Sequence, residues 1–180
     1  MRGSWIAVGA ACLLLVSAAM AQAPQASQST PSAAVQRLGY FAGDWKVSGT
    51  THIGPNTPAA PFTTTEQGEW LPGGYFLEVK MVTHGPLGDV HTVRMMEYNP
   101  ADKAYTFNEY NSLGEHVLAI GHIDGDTWGW DTEKKLNGVV AKGRYIVTFV
   151  SPDSYTFKSQ TAKPNGGWVT VSEGKATRAQ

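Results

Sequence analysis

The sequence predicts an all-β protein, an antiparallel up-and-down β-barrel of about eight to ten strands with one short N-terminal helix. Three observations predict this fold. Short segments that alternate apolar and polar residues follow one another along the chain, and turn residues such as Gly, Pro, Asn and Asp separate them. Charged residues make up 16% of the chain and aromatic residues 11%. The chain also has 20 glycines, many of them at the expected turns, which favours β-structure over a helical bundle.

The helix comes before the strands. Residues 33–41 are long enough for about two helical turns. Ser32 is a suitable N-cap, because its hydroxyl can accept a hydrogen bond from a free backbone N–H of the first turn. Val35, Leu38 and Phe41 recur at every third position and are expected to share one face. The helix is therefore expected to bury that face against one end of the barrel.

About ten alternating segments follow the helix. Most are joined by short turns, so neighbouring strands are expected to pair as hairpins in a meander. Closing a meander into a barrel removes its two exposed edges, which favours a barrel over a sandwich. The expected strands are residues 45–50, 62–71, 75–83, 90–98, 103–111, 115–123, 127–132, 138–150, 154–161 and 167–177.

Trp45 opens the first expected strand. Closure of the meander pairs the first strand with the last, which brings Arg178 near Trp45. We expect the indole to be buried at the helix-capped end, with Arg178 first and Lys175 second as the basic side chain packed on it. The alternative is an exposed Trp45 at an open mouth, where it contacts a ligand.

The N-terminus has the pattern of a secretory signal. Arg2 is followed by an apolar run over residues 5–19, and small residues precede an expected cleavage site after Ala21. We expect residues 1–21 to be the signal peptide, 22–33 a disordered linker and 34–180 the barrel domain, exported to the periplasm or the medium. A retained membrane anchor is the alternative, but the run is short for a span.

Composition excludes several classes of function. The formal net charge is −1, without the basic excess that nucleic-acid binding requires. Cys12 is the single cysteine and lies in the expected signal, so the mature chain has no disulfide, thiolate metal site or covalent haem. We expect no resident cofactor, no metal and no stable membrane span after cleavage. The oligomeric state stays open.

The opening of the first strand and the meander resemble the calycin superfamily, which includes lipocalins and fatty-acid-binding proteins. Gly43-Asp44-Trp45 matches the Gly-x-Trp motif of lipocalins, in which a late basic residue packs over the Trp. The resemblance implies that Arg178 or Lys175 has this role.

More specifically, residues 34–178 resemble the bacterial family called domain of unknown function 1579. This resemblance implies a fold and carries no activity. The shared features are the opening over residues 38–45, the Gly73-Gly74 turn, Tyr98-Asn99-Pro100, Asp124-Gly125-Asp126 and the terminal Thr177-Arg178.

Aromatic residues are the main candidates for a ligand site. Their rings can contact an apolar ligand inside the barrel while hydroxyl and indole N–H groups orient it. The alternative is that the rings only fill the interior. The candidate ligand-binding residues are Trp45, Tyr75, Glu78, Arg94, Tyr110, Trp130, Tyr145 and Trp168.

The charged candidates depend on which face they occupy. Glu78 and Glu97 lie on paired strands, and an inward carboxylate needs a partner such as Arg94 or Arg144. The favoured alternative is a solvated outer face. His84 and His91 flank a turn with Asp89, but exposed loop histidines are the favoured interpretation over a metal site.

Three functional hypotheses follow. The first is a binding protein for a small, mostly apolar molecule. The second is a barrel enzyme that uses an inward Glu with a Tyr or His. The third is a filled structural protein of the envelope. An apolar cavity favours the first, a carboxylate of raised pKa beside a Tyr or His favours the second, and a barrel without a cavity favours the third.

Overall fold

The computed structural model describes residues 30–54, 56–136 and 139–179. The expected signal peptide and most of the expected linker lie outside these ranges. No helix within them has the length and apolar content to cross a membrane. The strands are β1 (Gly43–Thr51), β2 (Ala60–Trp70), β3 (Phe76–Gly85), β4 (Gly88–Asn99), β5 (Ala104–Asn111), β6 (His116–Asp124), β7 (Thr127–Leu136), β8 (Val139–Ser151), β9 (Ser154–Ala162) and β10 (Trp168–Arg178).

The strands form a closed antiparallel barrel. Each strand pairs with its neighbours in sequence, and β1 pairs with β10 to close the sheet. The predicted fold class is therefore confirmed, with ten strands. Closure leaves no unpaired sheet edge, which explains why a meander of this length is stable as a barrel.

The N-terminal helix is confirmed but is not α-helical throughout. Helix α1 (Ala33–Gln36) begins after Ser32, whose hydroxyl accepts a hydrogen bond from the Val35 amide at 3.4 Å. Residues Arg37–Phe41 continue as a tighter 3₁₀ helix. The apolar face is buried as predicted, with Val35, Leu38 and Phe41 all at most 6% exposed. This element covers the barrel end at which β1 begins, which we call the helix end; the opposite end is the loop end.

Trp45 lies at the helix end and is 1% exposed. Its indole contacts the rings of Phe149 and Tyr155, with centroids 6.3 and 5.0 Å away. Arg178 is its register partner in β10, and the guanidinium carbon lies 4.2 Å from the centre of the Trp45 ring. The predicted burial of Trp45 and its contact with Arg178 are confirmed.

Two glycines permit close packing around these rings. Gly43 has a φ of 87°, which side chains rarely adopt, and a Cβ there would meet Arg178 Nη1 at 2.8 Å. At Gly121 a Cβ would collide with the ring of Trp130. The ring of Trp130 therefore lies directly on the backbone of β6, which keeps this wide side chain inside the barrel.

Candidate ligand site in the barrel interior

The barrel interior divides into two halves of different character. In the half toward the helix end, which we call the helix half, inward side chains such as Leu77, Met96 and Trp128 are at most 1% exposed. In the half toward the loop end, the loop half, many inward-facing side chains keep partial exposure, although Thr64, Met81 and Phe157 are buried. The partly exposed ones include Phe62, Thr83, Thr92, Asn111, Val117, Thr132, Tyr145, Ser159, Thr161 and Ser172.

A buried ion pair lies where the two halves meet. Arg94 of β4 donates from Nε and Nη2 to one oxygen of Glu109 in β5, at 2.9 and 2.6 Å. The two residues are register partners, so strand pairing places them side by side on the inner face. Their side chains are 13% and 18% exposed. A pair this buried must be closely matched, because an unpaired charge there is costly.

Aromatic rings hold the guanidinium in place. Its central carbon lies 4.5 Å from the ring centre of Phe107 and 5.6 Å from that of Tyr145. Burial raises the pKa of the Tyr145 hydroxyl, and the nearby charge of Arg94 opposes that shift in part. Burial opposes the charge of Arg94, but Glu109, Tyr145 and Glu66 together raise its pKa, so it is a permanent cation.

Glu66 of β2 faces the same group of side chains. Its Oε2 accepts a hydrogen bond from the Tyr155 hydroxyl at 2.9 Å. Burial raises the pKa of Glu66, while Arg94 and the bond from Tyr155 oppose that shift in part. The pKa of Tyr155 is raised as well, first by burial and then by the carboxylate of Glu66. Both groups therefore favour their uncharged forms.

Glu66, Arg94, Glu109, Tyr145 and Tyr155 are called the interior cluster below. Five strands supply its members, β2, β4, β5, β8 and β9. Above it, Tyr145 packs on Phe157 at 5.9 Å between ring centres, and Phe157 packs on Phe62 at 6.2 Å. The loop half thus has a polar floor and an aromatic wall, which suits a ligand with an apolar body and one polar group.

Two depressions on the outer wall differ from this arrangement. One, of about 410 Å³, lies along β1, β2 and β3 among side chains such as Lys46, Gln67 and Lys80. The other, of about 560 Å³, lies along β8, β9 and β10 near Lys158 and Glu173. Both are open to solvent and most of the residues along them are exposed, although the first also borders Trp45 and Glu66. The interior groups several buried charged side chains, so it is the stronger candidate.

The structure brings two of the predicted site residues together and separates the others. Arg94 and Tyr145 meet in the interior cluster. Trp45 and Trp130 belong to the packed core, each 1% exposed. Tyr75 lies in the turn between β2 and β3.

The remaining predicted residues lie on the outer face. Glu78 alternates with the inward Leu77 and Val79 and forms an ion pair with Lys80 at 2.8 Å. Tyr110 is 56% exposed and stacks on His116. Trp168 lies against the guanidinium of Arg144 at 4.6 Å. The favoured interpretation of Glu78 as an outer-face residue is thus the one that the structure supports.

Sequence reasoning did not single out Glu66, Glu109 or Tyr155. The signal for Glu109 is present, because it continues the alternation of Tyr105 and Phe107, which are both buried. Tyr155 likewise lies on the same face of its strand as the buried Phe157. The face that Glu66 occupies is harder to read, since the residues around it in β2 are mostly threonines.

The two-His, one-carboxylate set that a metal site at this turn would need does not form. His84 is opposite Asp89 and bonds it through Nδ1 at 2.7 Å, whereas His91 is opposite Val82. Within the described ranges, no three His, Cys, Asp or Glu side chains are grouped to hold a metal ion.

Comparison with known proteins supports the fold. Residues 30–178 match the family described as "Protein of unknown function (DUF1579)". The crystal structure of Rv2717c from M. tuberculosis superimposes with a TM-score of 0.62 at 12% identity, covering 83% of this chain and 99% of that one. The phycobiliprotein lyase CPES from Guillardia theta gives a TM-score of 0.53 at 10% identity, covering 81% and 92%. The comparison with curated proteins finds no match.

Proposed function

The chain belongs to the DUF1579 family, whose description names no activity, and we propose that it binds a small, mostly apolar molecule in the loop half of its barrel. One observation carries the proposal: inward-facing side chains of the loop half, many of them short and polar, stay partly exposed beside the buried Arg94–Glu109 pair, while most of the fully buried rings lie in the helix half.

Partial exposure inside a closed barrel has a physical meaning. A side chain that points into the barrel contacts water only where space for water lies beside it. Tyr145, Ser159 and Thr161 point inward and are half-buried, whereas Trp128 and Val147 in the helix half are at most 1% exposed. An apolar ligand that displaces water from beside Phe62 and Tyr145 gains about 25 cal/mol per Å² of apolar surface buried.

Binding is tested by blocking the loop half from inside. The probe is uncharged N-phenylnaphthylamine, whose fluorescence rises in an apolar environment. Ser159→Phe places a ring in the space beside Tyr145, its register partner, and is expected to lower probe affinity at least about tenfold, or 1.4 kcal/mol. Thr156→Phe on the same strand is the matched control, because Thr156 is exposed on the outer face. Equal binding by both variants would place the probe elsewhere and overturn the proposal.

Export belongs to the same proposal. The signal pattern over residues 1–21 supports a barrel that meets its ligand in the periplasm or the medium. Mass spectrometry of the protein from those fractions is expected to find Gln22 as the first residue. An intact N-terminus on exported protein would contradict cleavage.

The environment of Glu66 also supports a second candidate function, that of an enzyme that uses acid–base chemistry. A carboxyl of raised pKa beside a tyrosine hydroxyl at 2.9 Å can exchange a proton with a bound substrate. Hydrolysis of naphthyl acetate above the buffer rate, lost in Glu66→Gln while the variant still binds N-phenylnaphthylamine, would support it. Equal rates in both proteins would remove Glu66 from any such role.

A further inference from the structure

We propose that the ligand of the loop half carries a cationic, hydrogen-bond-donating head group, of the kind a protonated amine supplies, which binds against Glu66 and Glu109. This inference rests on the proposed binding function and names the chemistry of the ligand. It follows from how the charges of the interior cluster are already used.

The guanidinium of Arg94 already has charged and aromatic partners within the cluster. Arg94 directs two N–H groups to a single oxygen of Glu109, and its guanidinium carbon lies 5.6 Å from the ring centre of Tyr145. Phe107 lies 4.5 Å from the guanidinium carbon. An anionic ligand that approached the remaining N–H groups of Arg94 would also face the carboxylates of Glu109 and Glu66, so the cluster disfavours carboxylates and sulfonates.

The carboxylates of Glu66 and Glu109 can each accept further hydrogen bonds. An ionised carboxylate has about four lone-pair sites on its two oxygens. Glu109 receives both bonds from Arg94 on Oε2, and Glu66 receives the Tyr155 hydroxyl on its own Oε2. Each carboxylate therefore has a second oxygen that can accept from a donor that enters the loop half.

The charges do not balance when both carboxylates are ionised. Arg94 contributes one positive charge, while Glu66 and Glu109 contribute two negative charges. Nearer the loop end, Lys134 is paired with Glu115 at 2.5 Å and so is already compensated. The remaining negative charge can be neutralised by a proton on Glu66 or by a cation on the ligand, and these two compete.

The surroundings of Glu66 support the exchange of its proton for a cation of the ligand. Arg94, Glu109, Tyr145 and Tyr155 are the titratable or charged groups that face it from β4, β5, β8 and β9. Its register partners, Trp45 in β1 and Met81 in β3, are apolar. Burial raises the pKa of Glu66, so without a ligand the carboxyl holds its proton to higher pH than a free Glu. A bound ammonium replaces that proton, and binding then releases a proton to solvent.

A matched series of naphthyl compounds tests the head group. Naphthylmethylamine, naphthalenemethanol and naphthalenecarboxylate share one apolar body and differ in charge. Calorimetry is expected to give the amine about tenfold tighter binding than the alcohol, with the carboxylate weakest. The amine's affinity is expected to rise as pH rises through the pKa of Glu66, which burial raises, and that of the alcohol to stay constant.

Glu66→Gln separates charge from packing. The variant is expected to remove the amine's advantage and its pH dependence, while the alcohol binds within about twofold of wild type because the side-chain volume is kept. Glu78→Gln on the outer face is the control and is expected to change neither. An alcohol or carboxylate that binds as tightly as the amine would overturn the inference but keep the proposed function. Failure of all three compounds and of N-phenylnaphthylamine would reject the proposed function itself.

Discussion

The two halves of this barrel are built from the same strands and differ in how their inward positions are filled. In the helix half, Trp45, Trp128 and Trp130 are each 1% exposed and stack on further rings. In the loop half, the inward positions carry mostly Thr, Ser and Asn, with a few rings, and they remain half-buried. Large rings fill a barrel of ten strands, whereas short polar side chains leave space. We therefore assign most of the stabilising packing to the helix half, and the loop half is the proposed ligand site.

The interior cluster lies between these halves and shares properties of both. Tyr155 packs on Trp45 at 5.0 Å below, and its hydroxyl bonds Glu66 above. No deeply buried side-chain nitrogen or oxygen in the described ranges lacks a hydrogen-bond partner. A cluster that is satisfied in this way holds its charged groups in place without a ligand, and such preorganisation lowers the entropy cost of the proposed binding.

The largest expected effect is on the helix half. Trp45→Ala removes a fully buried indole and is expected to lower the free energy of unfolding by about 3–5 kcal/mol, which shifts the melting temperature by on the order of 10 °C. Tyr110→Ala is the control, since Tyr110 is 56% exposed, and is expected to change stability far less. A Trp45→Ala melt that overlays wild type would contradict the assignment of the helix half as the stabilising half.

The next effect is on the cluster. Glu109→Leu leaves Arg94 buried without its partner and is expected to cost about 2–3 kcal/mol in denaturant unfolding. The double variant Arg94→Met with Glu109→Leu removes both charges and is expected to recover most of that loss. If the double variant is less stable than Glu109→Leu alone, the pair stabilises the fold outright and its role is not confined to ligand binding.

A smaller effect is expected at Arg178. Arg178→Ala removes the cation on the Trp45 ring and the hydrogen bond from Nη1 to the Ala42 carbonyl, 2.6 Å long. The expected loss in a thermal melt is about 1–2 kcal/mol, below that of Trp45→Ala, because the indole stays buried. Lys175→Ala serves as the control, since Lys175 is exposed on the same strand. A loss at Arg178 equal to that at Trp45 would mean that the guanidinium, and not the ring, closes the helix end.

The smallest effect is on pH dependence. Burial raises the pKa of Glu66 in the folded protein above the ordinary value of 4.5. Its contribution to stability is therefore fully present below that value and is lost as pH rises through the folded pKa. Glu66→Gln does not titrate, so its stability relative to wild type is expected to increase with pH in parallel melts. A difference that stays constant with pH would show that Glu66 keeps an ordinary pKa.

Most of the fold was predictable from the sequence, since alternation and turn residues mark each strand locally. The Trp45–Arg178 contact was predictable because closure pairs the first and last strands and brings the end of β10 beside the start of β1, where Arg178 was preferred to Lys175. The interior cluster was less accessible. Its members lie on five strands. Alternate residues of a strand point inward, so whether Glu66 or Glu78 does so depends on which alternate set of its strand faces the interior. Tyr105 and Phe107 reveal the inward set for Glu109, but the threonines of β2 do not reveal it for Glu66.

The central claim is that the ligand occupies the loop half, and nuclear Overhauser contacts between methyl groups and bound N-phenylnaphthylamine test it most directly. Contacts to the methyls of Val117 and Thr161 are expected, since both point into the loop half and are half-buried. No contact is expected to Leu77 or Ala119, which are fully buried in the helix half. Contacts confined to Leu118 and Ile120, which are exposed on the outer face, would contradict the claim and place the probe outside the barrel.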